Sequence, residues 1–562
     1  MDASLRKRLM ALSDKSETLW KKESMQERIN ELAAYHDSGS GREDDEKQAG
    51  VVHVNKVMPN VRGGRANLFA KRPEILTKGR RVQDENAAKN AELFLNYCVR
   101  FLKQPAEIRD CLFWARLSPF GVVKLGMVEQ GGMYLPTFRS VDPRSYRPDP
   151  MLEIFRPEEG AWEKYKMRRS LADLRRNKIY LESELDALRD KINAGGGEEL
   201  HDEVIQIHLS EHYYRDAGGF RVSTFASGYD ETGFNAEDAI CVRDEEFTKV
   251  VGLPGRVLSF NISPREKRFF PNSPVEFWLE QQKEIDGYRT QKLLHAERAN
   301  AKMLVDPTMF TPLEMQGLES REPRQYVPAS NAGGKLDKAA VPIKFDTVNT
   351  DVWAGEDEAA RTIEEVSGMD AVSMGNTQAE RGSVSATRDQ RVENAMRLRS
   401  SDDQEIFEDW MESTFQGTLN LGQKFVKGDV WIRITGQQEV KIEAKDIAGN
   451  IEVIMAFAST MPKDEESEWQ KAVEFYTLIS TNPLANQTRN LTELIKARKI
   501  RGGAEGWLAP QMPMATPGAT GLPPEATAGG GFDASLLNEL AMGGMNGGQS
   551  LLGQAAIMRN QT

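Results

Sequence analysis

From Trp353 to Val426 the sequence runs helix, small-residue loop, long helix, and this order constrains what the rest of the chain can build around it. Residues 355–366, Gly-Glu-Asp-Glu-Ala-Ala-Arg-Thr-Ile-Glu-Glu-Val, predict the first helix. Its opening turn is acidic, where the helix dipole favours negative charge. Residues 367–382 follow, with glycines at 368, 375 and 382 and scattered Ser, Asn and Thr, which stop a helix. Ser383 reads as the next N-cap, and good helix formers run on from it with no Pro before Val426. A long helix that begins beside a loop can hold that loop out in space.

Composition narrows the classes. At 562 residues there is room for several domains, and 28% charged with 39% hydrophobic residues is the balance of a globular chain. No apolar run approaches the ~18 residues of a membrane span. The first residues, Met-Asp-Ala-Ser-Leu-Arg-Lys-Arg, lack the apolar core of a secretory signal, so an amphipathic helix is expected there. Cys98, Cys111 and Cys241 are isolated and fit a reducing compartment. A net charge of −12 argues against gripping nucleic acid over the whole surface. It allows a passage through which DNA slides.

Along the chain, Leu5, Leu9, Leu12, Trp20, Met25, Ile29 and Leu32 give helical periodicity over 2–36, and 37–47 is a polar loop. Helices are predicted at 86–102 and 108–117, and a hairpin from 122–128 and 133–141 across Gln130-Gly-Gly132. Met167, Leu171, Leu174, Leu181, Leu185, Leu188 and Ile192 fall at spacings of three and four, with Lys178 breaking the row. They suit a coiled-coil seam or, in the preferred reading, one amphipathic helix packed on its own domain. Strands are expected at 220–225 and 250–261. The basic, aromatic run 264–271 could contact nucleic acid, but a solvated loop is the simpler reading.

His208-Leu-Ser-Glu-His212 matches the HxxEH zinc-hydrolase pattern, which needs both histidines on one helical face. Here Ile205, Ile207 and Leu209 alternate with Gln206, His208 and Ser210, which is strand periodicity. Residues four apart on a strand stand roughly 13 Å apart, too far to share a metal that sits about 2 Å from each ligand. Two solvent-facing strand histidines are expected instead. With no Walker-type loop, GxSxG or Cys/His cluster of usable spacing, no catalytic residue, metal ligand or cofactor site is assigned. The zinc hydrolase remains one alternative. A nucleic-acid-binding factor is another, though the basic residues are scattered among a larger number of acids.

Residues 276–303 predict a long helix that is polar nearly all round, with a thin edge of Trp278, Ile285, Tyr288 and Leu294. It suits either a surface helix braced by charge pairs or a helix flanked by polar neighbours in a ring. The Pro-rich stretch 305–350 is too small for its own core, with short strands expected at 324–327 and 341–345. Strands are predicted at 429–435, 439–443 and 451–457, and helices at 465–480 and 491–499. Beyond about residue 509, Pro, Gly, Ala, Met and Gln dominate and disorder is expected, with a short helix possible over 536–540.

Asn-Thr-Gln-Ala-Glu-Arg-Gly-Ser-Val-Ser-Ala-Thr-Arg-Asp-Gln, residues 376–390, resembles the segment of tailed-phage portal proteins that leads from the tunnel loop into the long wing helix. Three other pieces agree in order. Val54-Asn-Lys-Val57 with residues 67–75 is similar to the portal N-terminal entry, residues 138–143 with Pro148-Asp-Pro150 to a wing strand and turn, and Asn272-Ser-Pro274 to the start of the first stem helix. Together they span most of 50–430; nothing past about 430 matches.

The resemblance implies an α+β, portal-type fold. Its parts would be a mixed α/β wing (1–271), stem helices (272–303 and 351–367), a clip (304–350), a tunnel loop (368–382), a long wing helix with wing strands (383–461), a helical crown (462–508) and a disordered tail (509–562). It implies a dodecameric ring at one capsid vertex, in the virion and, during assembly, in the host cytoplasm. Double-stranded DNA would pass through it. The large terminase subunit, a head–tail adaptor and the major capsid or scaffold protein would bind it, with no membrane involved. By the same resemblance Gly368, Asp370, Ser373, Gly375, Asn376, Thr377, Gln378 and Arg381 face the channel, and Arg321, Arg324, Lys335, Lys338 and Lys344 of the clip meet partners.

Overall fold

The computed structural model describes residues 3–38, 52–196, 201–216, 218–228, 239–248, 252–261, 268–299, 303–305, 310–319, 340–342, 350–369, 386–426, 430–433, 439–455 and 473–477. The chain divides into two compact units, 1–467 and 468–562. In the second, 473–477 is helical, inside the predicted helix 465–480. The predicted helix 491–499, the possible one over 536–540, the rest of the tail and the loop 39–47 lie outside the described residues.

The N-terminal periodicity resolves into two helices, α1 (Ala3–Lys22) and α2 (Met25–Ser38). The break falls at Ser24, whose φ of 48° no helix continues through. Next come α3 (Val57–Leu68), β1 (Ile75–Gly79), α4 (Glu85–Phe101) and α5 (Gln104–Leu117). The hairpin β2 (Gly121–Gln130) and β3 (Met133–Val141) turns through Gly131 and Gly132, both at positive φ, as its glycine pair predicts.

Five strands form the largest sheet: β4 (Tyr146–Pro148), β5 (Trp162–Ser170), β6 (Gln206–Asp216), β7 (Gly219–Gly228) and β8 (Ile240–Thr248), in that spatial order. The row of leucines is not one helix. Met167 ends up in β5, and α6 (Leu171–Arg176) is separated from α7 (Glu182–Gly196). Ser170 caps α6 by accepting from the Asp173 N–H (3.2 Å), and the helix stops at Asn177. The leucines still converge: Leu171, Leu174, Leu185 and Leu188 pack against Ile207, Leu209 and Ala226 of the sheet. The expected strand 250–261 shortens to β9 (Gly255–Leu258), which joins β2 in a three-stranded sheet.

Then follow α8 (Leu279–Ala299), β10 (Met303–Val305), α9 (Pro312–Glu319), β11 (Ala340–Pro342), α10 (Thr350–Ser367) and the 40-residue α11 (Ala386–Phe425). The expected strand 324–327 and the cap Ser383 lie outside the described residues. The last strands are β12 (Val430–Arg433), β13 (Glu439–Ile442) and β14 (Ile451–Met455). β12 pairs with β13, whereas β14 returns to pair with β1. Every described strand pairing is antiparallel, and helices pack on the sheets instead of crossing between parallel strands, so the class is α+β. The main core joins Phe94 and Leu95 of α4, Val123 and Phe138 of the hairpin, and Phe407, Met411, Phe415 and Leu419 of α11. The second half of the long helix is thus built into the mixed α/β region.

Candidate functional site

The helix α8 keeps its polar residues for a purpose that its sequence hides. The extended chain 52–56 lies along it, and α8 side chains bond that backbone. Val52 N–H donates to Thr290 Oγ1 (3.1 Å), Val54 N–H to Asp286 Oδ1 (3.0 Å) and Lys56 N–H to Gln282 Oε1 (3.2 Å). Gln282 Nε2 returns a bond to Val54 O (2.7 Å). Residues 282, 286 and 290 are four apart and share one helix face. Gln282 and Asp286 are buried, so the expectation that this helix has little beyond a thin apolar edge to bury is corrected. The segment they hold contains Val54-Asn-Lys, the first piece of the portal resemblance.

Beside it runs α10. Trp278 and Ile285 at the base of the pair share a core cluster with Ala359 and Ile363 of α10 and Val57 and Val61 of α3. Further along, Glu356 of α10 is nearly enclosed and bonds Arg289 (2.5 Å) and Lys292 of α8. The Lys292 ammonium sits 3.6 Å from the Trp353 ring centroid. A Cβ at Gly355 would stand 2.7 Å from the Tyr288 ring, so glycine sets how closely the helices approach. Away from this contact α8 exposes Glu280, Lys283, Glu284, Gly287 and Gln291, and α10 exposes Asp357, Glu358, Arg361 and Glu365. Both free faces are mixed in charge, with acids in excess.

Between these helices, β10 pairs with β11, Met303 opposite Pro342 and Val305 opposite Ala340. The pairing ties together the two ends of the Pro-rich insertion. Arg321, Arg324, Lys335, Lys338 and Lys344 lie outside the described residues. At the far end of α10, Gly368 adopts φ 68°, the left-handed helix stop that glycine permits. Met369 is buried, and Asn67 Nδ2 lies 3.7 Å from its sulfur, so the start of the loop is pinned to the end of α3. Asp370, Ser373, Gly375, Asn376, Thr377, Gln378 and Arg381 lie outside the described residues.

The HxxEH segment lies in β6, as its alternation predicts. Its histidines are not both solvent-facing: His212 is fully buried, between Trp162 and Phe225, with Nε2 2.8 Å from Ser210 Oγ. The face is closed because α1 lies across it, with Leu9 packed against Trp162 and Phe225. Burial, with the nearby Lys164 charge, lowers the imidazole to about 3, so it is neutral at physiological pH. Of the aromatic run 264–271, residues 264–267 lie outside the described residues, and the described end is not simply a solvated loop. Phe270 is buried edge-on to Trp20 (5.3 Å), and the Phe269 and Phe270 N–H groups donate to Glu23.

Two charge clusters, one half-buried and one buried, were not legible in the sequence. Burial would raise Glu17 of α1, but Lys164, Arg147 and Lys166 of the sheet together hold it down to about 2. On the opposite sheet face burial raises Glu163 to about 7, against the pull of the Gly255 N–H and the Tyr146 and Tyr165 hydroxyls. Both clusters join one element to another, Glu17 linking helix to sheet and Glu163 linking two sheets. Compared with models of known protein families and with curated proteins, the chain finds no match in either.

Proposed function

We propose that this chain is the subunit of a portal ring, a channel at one vertex of a tailed-phage capsid through which double-stranded DNA is packaged and ejected. The observation that carries this reading is the order α8, insertion tied by β10–β11, α10, Gly368, α11. Helix pair, small closed insertion, loop and long returning helix are the parts a stem, clip, tunnel loop and wing helix require. The C-terminal half of α11 packs on β2, β3 and α4, which suits a helix that carries the loop on the wing core. In this reading the ring is a dodecamer, and the insertion docks the large terminase subunit and the head–tail adaptor. The major capsid or scaffold protein meets the wing. The subunit holds no cofactor and performs no bond chemistry, and hydrolysis of ATP belongs to the separate motor. The zinc-hydrolase alternative lacks comparable support, because its histidines lie on a strand.

Negative-stain imaging and light scattering of the purified full chain test the proposal. Rings with a central hole and a mass near twelve subunits are expected. A homogeneous monomer or dimer at every concentration and salt would overturn it.

A further inference from the structure

In a chain of net charge −12, residues 56–81 carry eight Lys or Arg and a single acid, Glu74. The run covers α3, the link to β1 and β1 itself. Arg62 and Arg72 are exposed, and Arg65 and Lys71 half-exposed. Among the described residues these four make no ion pair. The scatter of bases read from the sequence therefore contains a local basic ridge.

The complementary surface is on α10. That helix has six acids and one base, Arg361. Glu356 is consumed by Arg289 and Lys292 of α8, but Asp357, Glu358 and Glu365 are exposed with no ion pair among the described residues. Among the described residues no ion pair joins the two charge sets within one copy. Val57 and Val61 of α3 and Ala359 and Ile363 of α10 face one shared core. Helical spacing then puts Arg62 on the side of α3 turned from that core, and Glu358 and Glu365 on the opposite side of α10. One subunit thus carries a positive surface and a negative surface directed apart. A head-to-tail contact uses two different patches of the same chain, and repeated with a constant rotation it closes a ring.

We propose that neighbouring copies associate through these surfaces, Arg62, Arg65, Lys71 and Arg72 of one copy meeting Asp357, Glu358 and Glu365 of the next. The inference rests on the ring reading above and names the contact that would set its direction. Exposed pairs of this kind contribute more to encounter and register than to affinity, so assembly should be steered by charge and screened by salt.

The test uses the full chain in two variants: Arg62→Glu/Arg65→Glu/Arg72→Glu, and Asp357→Lys/Glu358→Lys/Glu365→Lys. Each variant alone should lose ring yield by about tenfold or more, while an equimolar mixture, in which every contact is again between opposite charges, should recover it. Circular dichroism and thermal unfolding check that each remains folded. Wild-type assembly followed by light scattering should slow about tenfold between 0.05 and 0.5 M salt, a measurement that needs no variant. Wild-type rings indifferent to salt and to both reversals would overturn the pairing and leave the ring reading standing. So would folded variants that do not recover on mixing. A ridge variant that forms normal rings but loses binding of a short DNA duplex would assign the ridge to nucleic acid instead. A wild-type chain that never forms rings would overturn both proposals.

Discussion

Glu163 shows how much one enclosed side chain can decide. Its carboxylate takes bonds from Tyr146 Oη and Tyr165 Oη (both 3.0 Å) and from the Gly255 N–H (2.8 Å), joining the five-stranded sheet to β9 of the three-stranded one. Gly255 is required there, because a Cβ would collide with the carboxylate. The carboxyl is raised from 4.5 to about 7 by burial. Between those pH values the folded protein keeps a proton that the unfolded chain has lost. The resulting stabilisation is complete below about 4.5, declines as pH rises, and is gone above about 7. Glu163→Gln stays neutral throughout and preserves the shape. Relative to wild type it should gain about 3 kcal/mol between pH 4.5 and 8, at about 1.4 kcal/mol per pH unit. Urea unfolding across that range checks it. A gap between variant and wild type that does not move with pH would mean that Glu163 is not the titrating group.

Among the elements, one device appears three times: extended backbone satisfied by long polar side chains of a helix. The ribbon β1–β14 has two outer edges. On one, Glu92 of α4 accepts from Thr77 N–H (3.3 Å) and Asn96 donates to Ile75 O (3.0 Å). On the other, Gln416 and Glu412 of α11 accept from Val453 N–H (3.0 Å) and Met455 N–H (2.8 Å). Edges occupied this way do not recruit a further strand. The segment 52–56 on α8 is held by the same means. Asp286→Ala should leave the half-buried Val54 N–H without its acceptor and cost about 1 kcal/mol, the low end of the penalty for an orphaned donor. Hydrogen exchange should quicken at Val52, Val54 and Lys56 and stay unchanged in α4. Unchanged protection at Val54 would show that Asp286 does not hold the segment.

For the molecule as a whole, the loop after Gly368 is where the proposed function is most exposed to test. Its first residues are anchored, Gly368 by its left-handed turn and Met369 by burial beside Asn67, while α11 fixes its other side to the main core. Replacing 370–380 by a short Gly-Ser linker keeps both anchors. Folding and ring assembly should be retained, and thermal unfolding should shift by no more than a few degrees. Particles assembled with the variant should fail to package DNA or to retain it, measured as nuclease-protected DNA per capsid. Normal packaging and retention would remove the loop from the channel.

Much of this was available from local spacing. The pattern of Ala91, Phe94, Leu95 and Cys98 predicts α4 and its buried face, Gly131-Gly132 predicts the hairpin, and alternation in 205–210 makes the HxxEH segment a strand. Those signals depend on a residue and its near neighbours, so the sequence carries them by itself. Other features depend on what arrives from elsewhere in the chain. His212 is buried because α1 covers its sheet face, and Asp286 because 52–56 lies on its helix. Leu171 and Leu174 fall in one helix and Leu185 and Leu188 in another, yet all four meet on one sheet. β8, whose Arg-Asp-Glu-Glu run gives no apolar alternation, is a strand because β7 offers it an edge. Periodicity fixes the direction in which a side chain points relative to its own element, and only packing decides whether water or another element stands there.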